Sequence, residues 1–244
     1  MDEKTFCARV NDTATLAFKS DKPKFLGFLT EAERGKAEEL LKQRSAKFEF
    51  FGGFEEADRV MLCCKPDWCD EAVFPITPVT ATFRECDSLT HRDILGALMG
   101  LGITRESVGD ILIESGRAVF FVTEEVSDFV ISELHKAGRV GVKLSLGAHT
   151  PLPQMSSLQL FRETVASLRL DCVVSAIVNT SRAGATSLIE EGFVCLNGVP
   201  VSKATRSVSQ GDKISIRGKG KFTVTACKDL TRKGRTVLEY SKYV

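Results

Sequence analysis

Apolar and polar positions change their spacing several times along the chain, and each change marks a new element. Thr30-Glu31-Ala32-Glu33 is a capping box: the threonine hydroxyl can accept from a helix-start N–H and Glu33 can reach back. Leu40 and Leu41 then supply an apolar face, which predicts a helix of about 14 residues. Phe48-Glu49-Phe50-Phe51 reads as a strand running into the Gly52-Gly53 turn, with Phe54 beyond it and Val60-Met61-Leu62 as the return strand. The next stretch predicts a strand at 76–84 and a helix at 91–100, N-capped by Thr90 with Asp93 three residues on. Strands at 110–114 and 118–123 follow, joined by Ser115-Gly116. A helix at 126–136 carries Val126, Phe129, Val130 and Leu134 and stops at Gly138, and a last strand covers 140–146. The order β-α-β-β-α-β is the split ferredoxin-like arrangement shared by RRM domains.

Thr150-Pro151-Leu152-Pro153-Gln154 opposes helix and reads as a linker, after which Ser156 or Ser157 caps a connecting helix to about residue 167. Leu170, Val173, Val174, Ile177 and Val178 then line one helix face. Ser181 opens a second helix with Ala185, Leu188 and Ile189, ending at Gly192. Val194-Cys195-Leu196 enters a hairpin at Asn197-Gly198, and Ile214, Ile216, Phe222, Val224, Val237 and Leu238 mark further strands. The chain is therefore expected to be α+β. A small α+β domain spans 1–70, a ferredoxin- or RRM-like domain 71–148, a linker with connecting helix 149–167, and a compact module of two helices and strands 168–244.

Composition sharpens this picture once the chain is divided. The 244 residues are 43% hydrophobic and 27% charged, with a formal net charge of +1, values that suit a globular protein. Residues 167–244 hold 13 Lys+Arg against 6 Asp+Glu, a net of +7, while residues 1–166 hold 20 against 26, a net of −6. A basic end domain on an acidic body points to a phosphate-bearing partner. None of the eight cysteines forms C-x-x-C. Cys63, Cys64 and Cys69 lack the paired spacing of structural zinc, and His91 lies far along the chain, so no metal or cofactor is expected. Met1-Asp2-Glu3-Lys4 opens no apolar signal stretch, and no apolar run approaches ~18 residues. A cytoplasmic protein with reduced thiols and no membrane partner is the expectation.

The candidate chemistry gathers in the basic module. Arg182 falls in the first turn of the second helix, where helix N–H groups and a guanidinium can jointly hold a phosphate. Lys203, Arg206, Arg217, Lys219 and Lys221 add cations in nearby loops. His91-Arg92-Asp93 has the letters of a kinase catalytic loop but lacks its downstream Asn and any Gly-rich phosphate loop, so capping and surface contact are its expected roles. The run Ser115-Gly116-Arg117-Ala118-Val119-Phe120-Phe121-Val122 lacks the Gly/aromatic alternation of an RRM stacking strand, so no base stacking is expected there. Phe120 and Phe121 point to opposite faces, so only one is core if that sheet is covered on a single side.

Several of these residues, taken in order, resemble a known module. Residues 168–228 are similar to the S4-type RNA-binding domain in the Arg-Leu-Asp start at 169–171, Ser181-Arg182, Gly192 with Asn197-Gly198, Lys203, and Gly211-Asp212 before Ile214. Gly184 departs from the better helix former usual at its place, which would loosen that first turn. The middle of the chain resembles the YlmH family of bacterial and plastid proteins, which carry an S4-type domain at the C-terminus. The matching residues are Leu89-Thr90-His91-Arg92-Asp93-Ile94-Leu95-Gly96, Leu98-Met99-Gly100-Leu101-Gly102-Ile103, Arg105-Glu106 and Gly109-Asp110-Ile111; the Phe51-Gly52-Gly53-Phe54 turn also fits. The resemblance implies a non-catalytic RNA-binding protein. It would act as a monomer on the large ribosomal subunit, with rRNA and tRNA as partners, in rescue of stalled translation by alanine tailing. Arg169, Ser181, Arg182 and Lys203 are the expected main contacts, and Arg206, Arg217, Lys219 and Lys221 the salt-dependent share. Two other readings stay open. One is an S4-containing RNA-modifying enzyme such as a pseudouridine synthase, whose catalytic Arg-Leu-Asp residues 169–171 superficially match, although no sizeable catalytic domain accompanies them. The other is an interaction protein of cell division.

Overall fold

The computed structural model describes residues 2–153, 158–230 and 235–243. It divides into two compact units, Met1–Met155 and Ser156–Val244. Among the described residues the chain is a mixed α/β protein of six α-helices and antiparallel sheets.

The first unit opens with a helix that the apolar spacing does not announce, α1 (Glu3–Ser20). Its buried stripe is Phe6, Val10, Thr13 and Ala17, at helical spacing but half of it small or polar, so the periodic signal is weak. Asp2 caps it by accepting from Thr5 N at 2.7 Å. After β1 (Lys24–Leu29), α2 (Glu31–Gln43) starts at the expected capping box: Glu33 accepts from Thr30 N at 2.8 Å, and the Thr30 hydroxyl accepts from Glu33 N. β2 (Lys47–Phe51) and β3 (Val60–Lys65) complete a sheet of order β1-β3-β2. Phe6, Val10, Leu26, Leu41 and Leu62 form the core between this sheet and the two helices. Cys63 and Cys64 are both buried in β3, and burial pushes both thiols up to about 12.

A second sheet follows in the same unit. Its elements are β4 (Ile76–Thr82), α3 (His91–Gly100), β5 (Val108–Glu114), β6 (Arg117–Thr123), α4 (Glu124–Glu133), the short pair β7 (Lys136–Ala137) and β8 (Val140–Gly141), and β9 (Lys143–Leu146). The strand order is β5-β6-β4-β9, with all pairs antiparallel. α3 has the expected bounds, and Thr90 and Asp93 close a full capping box. Three expectations need correction. α4 ends at Glu133 rather than near residue 136, because Leu134 takes extended angles to enter the core and Val142 N then donates to His135 O. The strand expected at 140–146 is split accordingly, β8 pairing with β7 and only β9 joining the sheet. Phe129, expected on the apolar face of α4, is exposed.

Both faces of this sheet are covered. Along β6, Ala118, Phe120 and Val122 join the core under α3 and α4, while Val119 and Phe121 pack with Phe28, Met61 and Leu112 on the other side. Phe120 and Phe121 are therefore both core residues. The Gly53 backbone has φ 100° and lies so close to the Phe121 ring that a side chain at 53 would overlap it. Gly109 performs the same service for Phe28: a Cβ there would come within 2.6 Å of the ring. Beside it, buried Asp110 accepts from Asp58 N at 2.6 Å and Arg59 N at 3.2 Å. Arg59 donates to the carbonyls of Phe28, Arg105 and Val108. Burial beside Arg59 pulls the Arg105 guanidinium down to about 10.

The second unit is one antiparallel sheet with two helices. Its elements are β10 (Leu158–Val165), α5 (Leu170–Ile177), α6 (Arg182–Glu190), β11 (Val194–Leu196), β12 (Val199–Pro200), β13 (Lys213–Ile216), β14 (Gly220–Leu230) and β15 (Thr236–Tyr243). The sheet order is β10-β15-β14-β13-β11-β12. Leu170, Val173, Val174, Ala185 and Ile189 from the helices meet Val194, Ile214, Val224 and Leu238 from the sheet. The connecting helix expected up to residue 167 is instead the edge strand β10, which pairs with β15 along its whole length from Leu158↔Tyr243 to Val165↔Thr236. The expected caps Ser156 and Ser157 lie outside the described residues. Leu158, Phe161 and Val165 sit at i, i+3 and i+7, which suits a helix as well as a strand, and the partner that decides the matter lies some 75 residues away in sequence.

Candidate nucleic-acid interface

Three chain segments converge at the start of α5. Leu170 N donates to Arg206 O at 2.8 Å, Asp171 N to Ala204 O at 3.0 Å, and Val208 N to Leu168 O at 2.8 Å. The first two bonds satisfy helix-start N–H groups, and all three fasten the loop carrying Lys203 and Arg206 beside Arg169. Both loop cations are exposed. The third segment is the start of α6, where Ser181 accepts from Gly184 N at 3.0 Å and sets Arg182 as the first helical residue.

Asp171 joins the segments. Its Oδ1 accepts from Arg169 Nε at 3.1 Å and from Cys172 N at 2.9 Å; its Oδ2 accepts from Arg169 Nη2 at 3.0 Å and Arg182 Nη2 at 2.7 Å. The carboxylate is 5% exposed, while the Arg169 and Arg182 side chains are 42% and 58% exposed. A buried acid thus turns two guanidiniums outward. The Arg169 hydrogen bonds, with those of Arg182, hold the Asp171 carboxyl well below the usual carboxylate range against the opposing effect of burial. The cluster carries two positive charges for one negative, and each arginine keeps N–H donors that Asp171 does not engage, in the planar fork that fits phosphate.

The residues named from the sequence fall into two groups. Arg169, Ser181, Arg182, Lys203 and Arg206 gather at the start of α5. The Ser181 oxygen is used as a helix cap, so that residue places its neighbour. Arg217, Lys219 and Lys221 belong to the β13–β14 hairpin: Arg217 lies over the Phe193 ring at 5.6 Å, and Lys219 lines a cavity together with Ile177 and Val178 at the far end of α5. Gly184 does not loosen the helix start. The cap is intact, and a Cβ there would stand 2.8 Å from Thr180 Oγ1, so the glycine makes room for it. Asn197 (φ 52°) and Gly198 (φ 76°) form the expected tight turn. Asn197 donates to Asp212 Oδ1 and accepts from Lys213 N, which locks two of the sequence landmarks together.

Asp171 is the member of this site that the sequence does not single out, because there it is only the last letter of the Arg-Leu-Asp signature. A second surface lies in the central sheet region. Gly138, at the turn between β7 and β8, sits close against Asp93 at the start of α3. Arg139 is exposed at that turn and Arg92 on that helix start. Among the described residues no group of three His, Cys, Asp or Glu is placed to hold a metal ion, and no helix is long and apolar enough to cross a membrane.

Comparison with known proteins adds three findings. Residues 81–150 match the family described as "Putative RNA-binding domain in YlmH". Over 239 residues, covering 96% of this chain and 93% of the relative, the chain is 28% identical to "Ribosome-associated protein quality control protein P2" of Bacillus subtilis (strain 168). The solved "Cell division protein ylmH from Streptococcus pneumoniae" shares the fold with a TM-score of 0.54 at 20% identity, over 59% of this chain and 90% of that one. The resemblance to YlmH proteins is thereby borne out, and residues 89–111 lie inside the matched segment. The matched segment contains His91-Arg92-Asp93, the surface contact expected in this region.

Proposed function

We propose that this chain, carrying the YlmH-type domain at residues 81–150, is a non-catalytic RNA-binding protein of the ribosome. It engages rRNA and tRNA on the large subunit during rescue of stalled translation, where alanine tailing occurs. The observation that carries this reading is the Arg169–Asp171–Arg182 cluster, two aimed guanidiniums beside the Lys203–Arg206 loop in a segment of net charge +7. The second unit, with two helices on a basic sheet, is read as the S4-type module. The central β-α-β-β-α-β order is read as RRM-like in topology. Its sheet, buried on both faces, leaves no aromatic platform for bases, so RNA contact there falls to the helix and hairpin surface around Arg92 and Arg139. The similarity to a ribosome-associated quality control protein of Bacillus subtilis supports a ribosomal setting.

The arrangement argues against the rival enzyme reading. A catalytic aspartate must reach its substrate, whereas Asp171 is buried and its oxygens are taken by Arg169, Arg182 and Cys172 N. The test is co-sedimentation of the full chain with purified large ribosomal subunits at rising salt. Wild type should bind with steep salt dependence and Arg182→Ala more weakly. Salt-insensitive association, unchanged by that substitution, would remove the site from this place.

A further inference from the structure

α5 is too short to cover the sheet face beneath it. The helix gives out at Val178, and Asn179 turns the chain away with φ 51°. Beyond that end the same sheet face continues through Phe161 on β10, Tyr240 and Lys242 on β15, and Phe222 on β14. Phe161 is the cross-strand partner of Tyr240, and Phe222 of Lys242. The rings of Phe161 and Tyr240 stack with centroids 5.3 Å apart and planes within 14°, and Phe222 meets Tyr240 edge-on at 6.0 Å. Phe161 is 37% exposed, while Tyr240 and Phe222 lie buried beneath it. Ile177 and Val178 wall one side. Lys242 Nζ stands 6.0 Å from the Phe222 ring centre, and Lys219 reaches in from the β13–β14 turn.

We propose that this cavity holds one unpaired nucleotide of a bound RNA, its base against Phe161 and its phosphate between Lys219 and Lys242. The inference rests on the RNA-binding reading and adds a single-strand site to it. The cavity measures about 210 Å³, below the roughly 300 Å³ at which pockets for whole drug-sized ligands begin, so it suits a planar ring rather than a larger molecule. An aromatic plane beside cations is the combination that binds single-stranded nucleic acid without reading its sequence. Glu163, near Tyr240, is the acidic neighbour; the two lysines outweigh it. A peptide strand added along the β10 edge would use the edge backbone and leave the lysines and the ring plane without a role. The cavity lies at the opposite end of α5 from Arg169 and Arg182, about 10–12 Å along the helix axis. The unit would thus grip structured RNA at one end and an unpaired nucleotide at the other.

The test uses the full-length chain and two RNA probes: a blunt hairpin, and the same hairpin with a short single-stranded extension carrying 2-aminopurine. Wild type should prefer the extended hairpin by about ten-fold, with 2-aminopurine fluorescence changing as the base stacks. Phe161→Leu, which keeps an apolar side chain, and Lys242→Gln should each abolish that preference while affinity for the blunt hairpin stays the same. Equal binding of both probes by wild type, or a preference that survives Phe161→Leu, overturns the proposal and leaves the Arg169–Arg182 site standing. Failure of wild type to bind either hairpin at low salt overturns the RNA-binding reading together with it. Preferential capture of an extended peptide, unaffected by Lys242→Gln, would assign the edge to protein instead.

Discussion

Asp110 and Asp171 are both carboxylates buried in a largely apolar body, and their partners make them opposites. Asp110 accepts from the backbone N–H groups of Asp58 and Arg59, and burial raises its pKa. It fastens a loop to a strand within the first unit. Asp171 accepts from two half-exposed guanidiniums, Arg169 first and then Arg182, which overcome burial and lower its pKa. Removing one should therefore cost stability, and removing the other should cost binding. The two sheets differ in the same sense. Every residue of β6 from Ala118 to Val122 is buried, so the central sheet is a scaffold. The second unit's edge strand leaves Leu160 75% exposed and Phe161 partly so, which keeps surface available for a partner.

Asp110→Ala orphans two backbone donors and should cost about 2–3 kcal/mol of stability, read from urea unfolding, with RNA affinity of the folded protein unchanged. A cost below about 0.5 kcal/mol would show that the loop does not depend on it. Arg182→Ala should weaken RNA binding by about ten-fold, since a charge-assisted contact is lost. Its folding stability should change by less than about 1 kcal/mol, because the arginine is more than half exposed.

Acid separates the two aspartates by sign. A lowered folded pKa means that Asp171 contributes stability above its unfolded value of about 3.9, and that the contribution is lost as pH falls towards the folded value. The raised pKa of Asp110 works in reverse, costing stability at neutral pH and less as pH falls through the folded value. The melting temperature of wild type should therefore drop more than that of Asp171→Asn between about pH 5 and about pH 2. Parallel curves would contradict the ion-pair account. The smallest effects belong to Lys203→Ala and Arg206→Ala. Each should weaken binding a few-fold and reduce the slope of log K against log salt by about 1; an unchanged slope would take that residue out of phosphate contact.

Local chemistry was legible in the sequence, and long-range pairing was not. The capping boxes at Thr30 and Thr90, the Asn197-Gly198 turn and the two helices of the second unit could be read because each rests on residues a few positions apart. The apolar spacing of β10 fits a helix, and only its pairing with β15 makes it a strand. α1 was missed because its inner stripe includes Thr13 and Ala17. At the candidate site the cations were legible as a list. Their division between the start of α5 and the β13–β14 hairpin was not, and neither was the role of Asp171, which depends on a bond to Arg182 eleven residues away.

The geometry set by Asp171, more than the count of charges, makes this surface bind RNA. Asp171→Asn tests it directly, because it raises the net charge of residues 167–244 from +7 to +8 while removing the ion pairs that aim Arg169 and Arg182. Affinity for structured RNA, measured at fixed salt on protein shown to be folded, should fall several-fold despite the added positive charge. Tighter binding by the variant would contradict the account and make the surface a simple cationic patch.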